Sequence, residues 1–283
     1  MLTLLKRRKR NPRAELRELL GRYDLPSVSP TVINLLSLLR DPETHMSEVA
    51  SRVEMDPGLT VRILRLINSA ALGLSTQVSN LQHAVGLLGR SRLESLVLTF
   101  AAADQIPSRM ECMETGWFWG AAARRATLAR VLAQHMHAAT QAEAFTAGLL
   151  LDIAVPVLAG VDSEGYATLL DQLHANDEAR LDDLERELFG FDHATVGALM
   201  AEDWGLPEYL VKAIGGHHGD NAESGADPAV RLVSFAKYSP ENDGAEAIKK
   251  AAENEFGIEE FLIEEMIARS FADAEQFAEM FFD

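Results

Sequence analysis

Ala144-Phe145-Thr146-Ala147-Gly148-Leu149-Leu150-Leu151-Asp152-Ile153-Ala154-Val155-Pro156-Val157-Leu158-Ala159-Gly160-Val161 is the longest apolar run in the chain, and its reading decides the fold. It is close to the roughly 20 residues that a helix needs to cross a bilayer. Yet Asp152 and Pro156 interrupt it, and Gly148 and Gly160 lie toward its two ends. A carboxylate is expensive in hydrocarbon, and a proline inside a helix removes a backbone hydrogen bond. The run therefore predicts a helix hairpin buried in a protein core, in a soluble, cytoplasmic chain with no membrane insertion.

Outward from this hairpin, helix signals dominate. Ser29-Pro30 predicts a capped helix start, because a serine hydroxyl accepts from an orphan amide and proline is tolerated in the first turn. The following Val32, Ile33, Leu35, Leu36, Leu38 and Leu39 predict a broad buried face that Asp41-Pro42 ends. Asp56-Pro57 repeats the device and launches a helix on which Leu59, Ile63, Leu66 and Ile67 share one side. Two capping boxes, Ser79-x-x-Gln82 and Ser91-x-x-Glu94, predict two short helices separated at Gly89. Past Glu111 the pattern continues through Trp117-Phe118-Trp119, an alanine-rich helix to His137, and a charged helix from Asp182 to Leu188. Phe191-Asp192-His193 follows, then the turn Trp204-Gly205-Leu206-Pro207 and a helix ending in Gly215-Gly216-His217-His218. The fold class is all-α.

Charge is unevenly spread. The chain carries 43 acidic against 26 basic side chains, for a net charge of −17. Residues 1–22 form a basic leader with a net of +6, which leaves −23 on the remainder. So acidic a body is a poor partner for nucleic acid. Residues 47–70 have the outline of a helix-turn-helix, with Arg62 and Arg65 on the second helix, but two arginines on such a body do not make a DNA-binding face. Residues 241–283 form an acidic extension that still carries Phe256, Ile258, Phe261, Leu262, Met266, Ile267, Phe271, Phe277, Phe281 and Phe282 at partly helical spacing. It is expected to dock on the body or on a partner. The single cysteine, Cys112, allows no internal disulfide and has no base near it in sequence.

The residues able to carry chemistry are Asp152, His193, His217 and His218. Imidazole and carboxylate groups converging from separate helices hold divalent ions in helical phosphohydrolases, where the ion polarises a phosphoryl oxygen and generates hydroxide. Each has a plainer reading as well. Asp152 serves equally as a buried acceptor or helix cap, and His193 as a partner for backbone groups at a helix start. His217 and His218 are adjacent, and on a helix they point about 100° apart, which argues against one shared ion.

Several ordered motifs resemble those of the HDOD family. They are Leu25-Pro26, Asp56-Pro57-Gly58-Leu59, Leu64-Arg65-Leu66-Ile67-Asn68-Ser69-Ala70, Ala84-Val85-Gly86-Leu87-Leu88-Gly89, Ala147-Gly148-Leu149-Leu150-Leu151-Asp152-Ile153, Asp192-His193-Ala194-Thr195-Val196-Gly197, Trp204-Gly205-Leu206-Pro207 and His217-His218. The resemblance implies two packed helical subdomains, residues 23–110 and 111–240, the second a degenerate relative of the HD metal phosphohydrolases, followed by the C-terminal helical extension. Within it, Asp56, Pro57, Asn68 and Ser69 are expected to be architectural.

The resemblance also implies lost ligands. The first ligand histidine of HD enzymes falls near Ala121, the dyad histidine on Leu151 and the late aspartate near Lys237. The expected function is therefore a non-catalytic bacterial signalling module that acts on other signalling proteins, with no cofactor and no catalytic residue. Two alternatives stand beside it. One is a divergent metal-dependent phosphohydrolase. The other is a nucleotide-sensing domain that binds without cleaving in the old pocket, where Lys237 would favour an anion.

Overall fold

The computed structural model describes residues 29–68, 77–104, 110–176, 179–218, 227–235 and 244–278. The basic leader, Leu25-Pro26, Ser69, Lys237 and Phe281-Phe282 lie outside the described residues. Among those described, the chain is all-α and contains no strand.

The first helices follow the local signals. α1 (Pro30–Arg40) is capped by the Ser29 hydroxyl, which accepts from the Val32 amide at 3.3 Å. α2 is Met46–Glu54. α3 (Pro57–Ile67) is capped by Asp56, whose Oδ1 accepts from the Leu59 amide at 3.0 Å. Such caps contribute about 1 kcal/mol each. The buried face of α1 is narrower than its sequence predicts: Leu35, Leu36 and Leu39 are buried, whereas Ile33 is 55% exposed.

α4 (Leu81–Ala103) corrects both capping boxes. Asn80, not Ser79, accepts from the His83 amide at 2.9 Å. Gly89, at φ 73° and ψ 172°, kinks the helix, as only a residue without Cβ does readily. Helical backbone is regained by Ser91, so Ser91 is not a cap, and Glu94 pairs with Arg40 at 2.7 Å instead. Beside the kink, the Arg90 guanidinium donates to the Leu38, Leu39, Asp41 and Thr44 carbonyls at 2.6–3.1 Å. It thereby satisfies orphan acceptors where α1 ends.

Asn68 bonds to backbone on both sides of the gap between α3 and α4. Its amide donates to the Leu64 and Val78 carbonyls at 2.8 and 2.7 Å, while its Oδ1 accepts from the Val78 amide at 2.6 Å. Asn68 thus ties the end of α3 to the approach of α4.

The second half is built around α5 (Thr115–Met136). The apolar run forms α6 (Gln141–Leu150), a turn holding Leu151 and Asp152, and α7 (Val155–Val161). Ala138–Val161 is long and apolar enough to cross a bilayer, but almost all of it is buried in the protein. α6 packs along α5 so closely that a Cβ on Gly148 would lie 3.0 Å from the Arg125 carbonyl oxygen. α8 (Ser163–Ala175), α9 (Leu181–Phe189), α10 (His193–Asp203), α11 (Glu208–Gly216) and α12 (Pro228–Val233) complete this half. α4 joins the halves by packing on α6, where the Ser95 hydroxyl donates to the Ala142 carbonyl at 3.3 Å.

The acidic extension docks on its own body. α13 (Ala245–Phe256) leads into α14 (Glu260–Ala278), which lies along α5. Ile263, Met266, Ile267, Ala274 and Phe277 are buried there, and the Thr127 hydroxyl donates to the Ser270 carbonyl at 2.9 Å. The exposed acidic residues of α14 stay in water, so its high charge and its apolar stripe are both accommodated.

Candidate functional site

Four of the residues singled out by sequence meet in one place. Asp152 enters from the turn between α6 and α7, and His193 is the first residue of α10. His217 and His218 follow the end of α11. One ligand atom from each lies within 4.8 Å of the others. His193 Nε2 is 3.2 Å from Asp152 Oδ1, 3.2 Å from His217 Nε2 and 2.7 Å from His218 Nε2. His217 Nε2 is also 3.2 Å from Asp152 Oδ1. The argument that adjacent histidines cannot serve one centre is overturned: α11 ends at Gly216, and past it the two rings converge with centroids 3.9 Å apart.

Local packing explains the convergence. Asp192 caps α10 by accepting from the Thr195 amide at 2.7 Å, which sets the direction of His193. One turn on, a Cβ at Gly197 would lie 2.8 Å from Ile214 Cγ2, so α10 and α11 approach as closely as side chains allow. That approach carries the end of α11, and with it His217, to His193.

Three residues missed by sequence reasoning complete the site. Arg125 of α5 forms a buried ion pair with Asp152 Oδ2, and the two side chains are 6% and 5% exposed. Glu185 of α9 is fully buried, and its Oε2 accepts from both His193 Nδ1 at 2.5 Å and the His193 amide at 2.7 Å. The Tyr166 hydroxyl of α8 donates to Glu185 Oε1 at 2.6 Å. Arg125 lies four residues beyond Ala121, so it falls on the same helix face as the expected ligand position. Leu151 is buried in the core and offers no donor or acceptor side chain.

These contacts fix the tautomers. A carbonyl only accepts, so His217 Nδ1, 2.6 Å from the Ile214 carbonyl oxygen, must carry a proton. His193 Nδ1 donates to the Glu185 carboxylate in the same way. Neutral rings then present the Nε2 lone pairs of both residues to the centre. Orienting each metal-facing nitrogen through a bond at the other ring nitrogen is the usual arrangement around bound ions. Asp152 Oδ1 and the Nε2 lone pairs of His193 and His217 then face one another and repel unless a proton or a cation lies among them.

Without a metal, that cation is a proton on His193. Burial alone would lower its pKa, but the Glu185 carboxylate, reinforced by Asp152, raises it to about 10. Burial acts on Asp152 in the opposite sense, yet Arg125 and the two histidines hold its carboxyl well below the ordinary range. His218 is pushed down by burial and by the neighbouring imidazoles.

The donor set fits one ion and does not fit two. Ligands at about 2.0–2.1 Å around a tetrahedral zinc-like ion lie roughly 3.3 Å apart; Asp152, His193 and His217 meet that spacing at 3.2 Å, whereas His218 comes closer to His193, at 2.7 Å. A second ion would need the other oxygen of Asp152, which Arg125 holds, a donor in place of Leu151, or the Asp182 or Glu255 carboxylate, which arginines already engage. The site lines a cavity of about 320 Å³ that also receives Arg180, Asp182, Arg231 and Glu255.

With this geometry in hand, the relatives can be placed. The family model of the HDOD domain matches residues 25–219. The chain belongs to the HDOD family. An uncharacterised protein of Treponema pallidum is 25% identical to this HDOD protein over 218 residues, covering 76% of this chain and 42% of that one. The cyclic di-GMP phosphodiesterase CdgJ of Vibrio cholerae is 27% identical over 164 residues, covering 56% of this chain and 36% of CdgJ. The chain thus spans less than half the length of these curated relatives. Among solved structures, an HDOD domain protein of Geobacter sulfurreducens shares the fold with a TM-score of 0.76 at 21% identity, over 95% of this chain and 97% of that one.

Proposed function

We propose that this HDOD protein is a non-catalytic signalling module, acting in the cytoplasm through contacts with other signalling proteins. The observation that carries this reading is the state of Asp152. Its Oδ2 is neutralised by buried Arg125, and its Oδ1 faces two imidazoles. Two-metal hydrolysis relies on carboxylates that bridge both ions. Here the one carboxylate of the cluster is engaged on both sides. The phosphodiesterase named among the relatives raises the opposing reading, and one experiment decides between them. Purified protein supplied with Mn²⁺, Mg²⁺ or Fe²⁺ is expected to leave cyclic di-GMP and bis(p-nitrophenyl) phosphate intact. Hydrolysis that disappears in Asp152→Ala would sink the proposal.

A second reading is favoured by the spacing of the four donors. One divalent ion of the zinc type would be held by Asp152 Oδ1 and the Nε2 atoms of His193, His217 and His218. Four protein ligands close a tetrahedral shell and leave no open position for water or substrate, which is the pattern of a structural ion. This reading is compatible with the first and stands against the expectation of no cofactor. Elemental analysis of protein purified with zinc in the medium is expected to give about one equivalent. Less than about a tenth, or full occupancy retained in His193→Ala, contradicts it.

A further inference from the structure

A second cavity, of about 220 Å³, lies on the other side of α5, between α3, α4, α6 and α14. One water needs roughly 10–15 Å³, so the space admits a small organic molecule. Its floor is apolar, with Leu66, Leu96 and Val131 beside the edge-to-face pair of Phe145 and Phe277, whose centroids are 5.1 Å apart. Three guanidiniums line it, from Arg92 on α4, Arg130 on α5 and Arg269 on α14.

What distinguishes these three arginines is that they share one cavity with a single carboxylate among the described residues. Elsewhere Arg40, Arg62, Arg186 and Arg231 each hold a carboxylate at 2.6–2.8 Å. Among the described residues, Asp273 is the one carboxylate that pairs with Arg130, at a loose 3.4 Å, and none pairs with Arg92 or Arg269; the Arg130 guanidinium also lies 5.9 Å from the Phe145 centroid. Three guanidiniums against one carboxylate leave a net charge of +2. Burial lowers the pKa of Arg130; Asp273 opposes that shift, and Arg92 and Arg269 add to it.

We infer that this cavity binds a small organic phosphate, its phosphoryl group held by Arg92, Arg130 and Arg269 and its body lying on the Phe145–Phe277 floor. A phosphate monoester carries about −1.5 to −2 at neutral pH, which matches the local charge, and guanidinium groups pair with phosphate oxygens bidentately. The apolar floor distinguishes an ester from inorganic phosphate, because only the ester has a body to bury. The ligand would touch the N-terminal helices, the α5–α6 core and α14 together. Its arrival would therefore tighten the docking of the C-terminal helix, a means of reporting a metabolite to a partner. The site is independent of the Asp152 cluster.

The test is calorimetric titration of the full chain with GMP and with inorganic phosphate, in the presence of EDTA to keep ions out of the histidine site. GMP is expected to bind, inorganic phosphate to bind more weakly, and Arg92→Ala/Arg269→Ala to weaken GMP at least about ten-fold. Both replaced side chains are exposed, so the variant should fold, and an unchanged circular dichroism melt checks this. The inference is overturned if wild-type protein binds neither probe. It also fails if phosphate binds as tightly as GMP, or if Arg92→Ala/Arg269→Ala retains full affinity. Loss of binding on Arg180→Ala/Arg231→Ala alone would move the anion to the histidine-lined cavity and equally overturn it.

Discussion

Arg125 on α5 and Asp152 in the turn after α6 form an ion pair sealed from water, with neither side chain more than 6% exposed. Two desolvated charges offset one another only while both are present. Arg125→Met is expected to destabilise the protein by about 3–5 kcal/mol, because it strands a buried carboxylate. Adding Asp152→Asn should recover part of that loss. Urea denaturation of the two variants measures the difference, and a single variant as stable as wild type would show that the pair is dispensable.

Glu185 is held by Tyr166 on one oxygen and by His193 on the other. Tyr166→Phe leaves Oε1 buried without its donor and should cost about 1.5–3 kcal/mol, the range for hydrogen bonds to charged groups. Glu185→Gln removes the carboxylate that orients His193. If the histidine cluster holds zinc, its affinity should fall about 10- to 100-fold, as is typical when an outer partner of a metal-bound histidine is lost. Competition against a fluorescent zinc chelator reads this directly.

The contrast between these residues and the four found from sequence is physical. Asp152, His193, His217 and His218 each stand in a short local motif, so residue type and the likeness to HDOD motifs were sufficient to find them. Ser29-Pro30 and Asp56-Pro57 were legible for the same reason, since a cap acts within one helical turn. Arg125 lies in an alanine-rich helix where nothing local distinguishes it from a surface arginine. Glu185 belongs to a charged helix that reads as a solvated face. Its one signal was the pairing with Asp182 three residues earlier, two acids on one side of α9 that the fold turns inward. That inward turn is set by packing with α8 and α10, which no local pattern encodes. The convergence of His217 and His218 was hidden likewise, because it depends on where α11 stops.

Asp182 supplies a pH dependence. Burial works against its ionised form, but Arg180, His218 and Arg186 together outweigh it and bring the pKa down to about 2. A carboxylate whose folded pKa lies below the unfolded value of about 3.9 stabilises the fold above that value. The contribution fades as pH falls toward the folded pKa. Asp182→Asn should therefore be less stable than wild type at neutral pH, and the gap should close between about pH 4 and pH 2. Thermal melts of both proteins across that range test it, and a gap independent of pH would mean that the loss is steric rather than electrostatic.

Gly148 and Gly86 are both helical glycines, and the structure predicts opposite outcomes for the same substitution. At Gly148 an added Cβ would sit 3.0 Å from the Arg125 carbonyl oxygen, 3.1 Å from Ala129 Cβ and 3.2 Å from Ala126 Cα. Two of these are backbone atoms of α5 and cannot rotate away. Gly148→Ala should cost about 1–3 kcal/mol through overpacking. Because it wedges α6 from α5 beside Arg125, it should also loosen the ion pair with Asp152. At Gly86 nothing lies within 4 Å of the new Cβ. There alanine only restricts the unfolded chain and improves helix propensity, so Gly86→Ala should stabilise by about 0.5–1 kcal/mol. Paired denaturation curves decide the matter: equal shifts of the same sign would contradict the close approach of α5 and α6 on which the position of Arg125 depends.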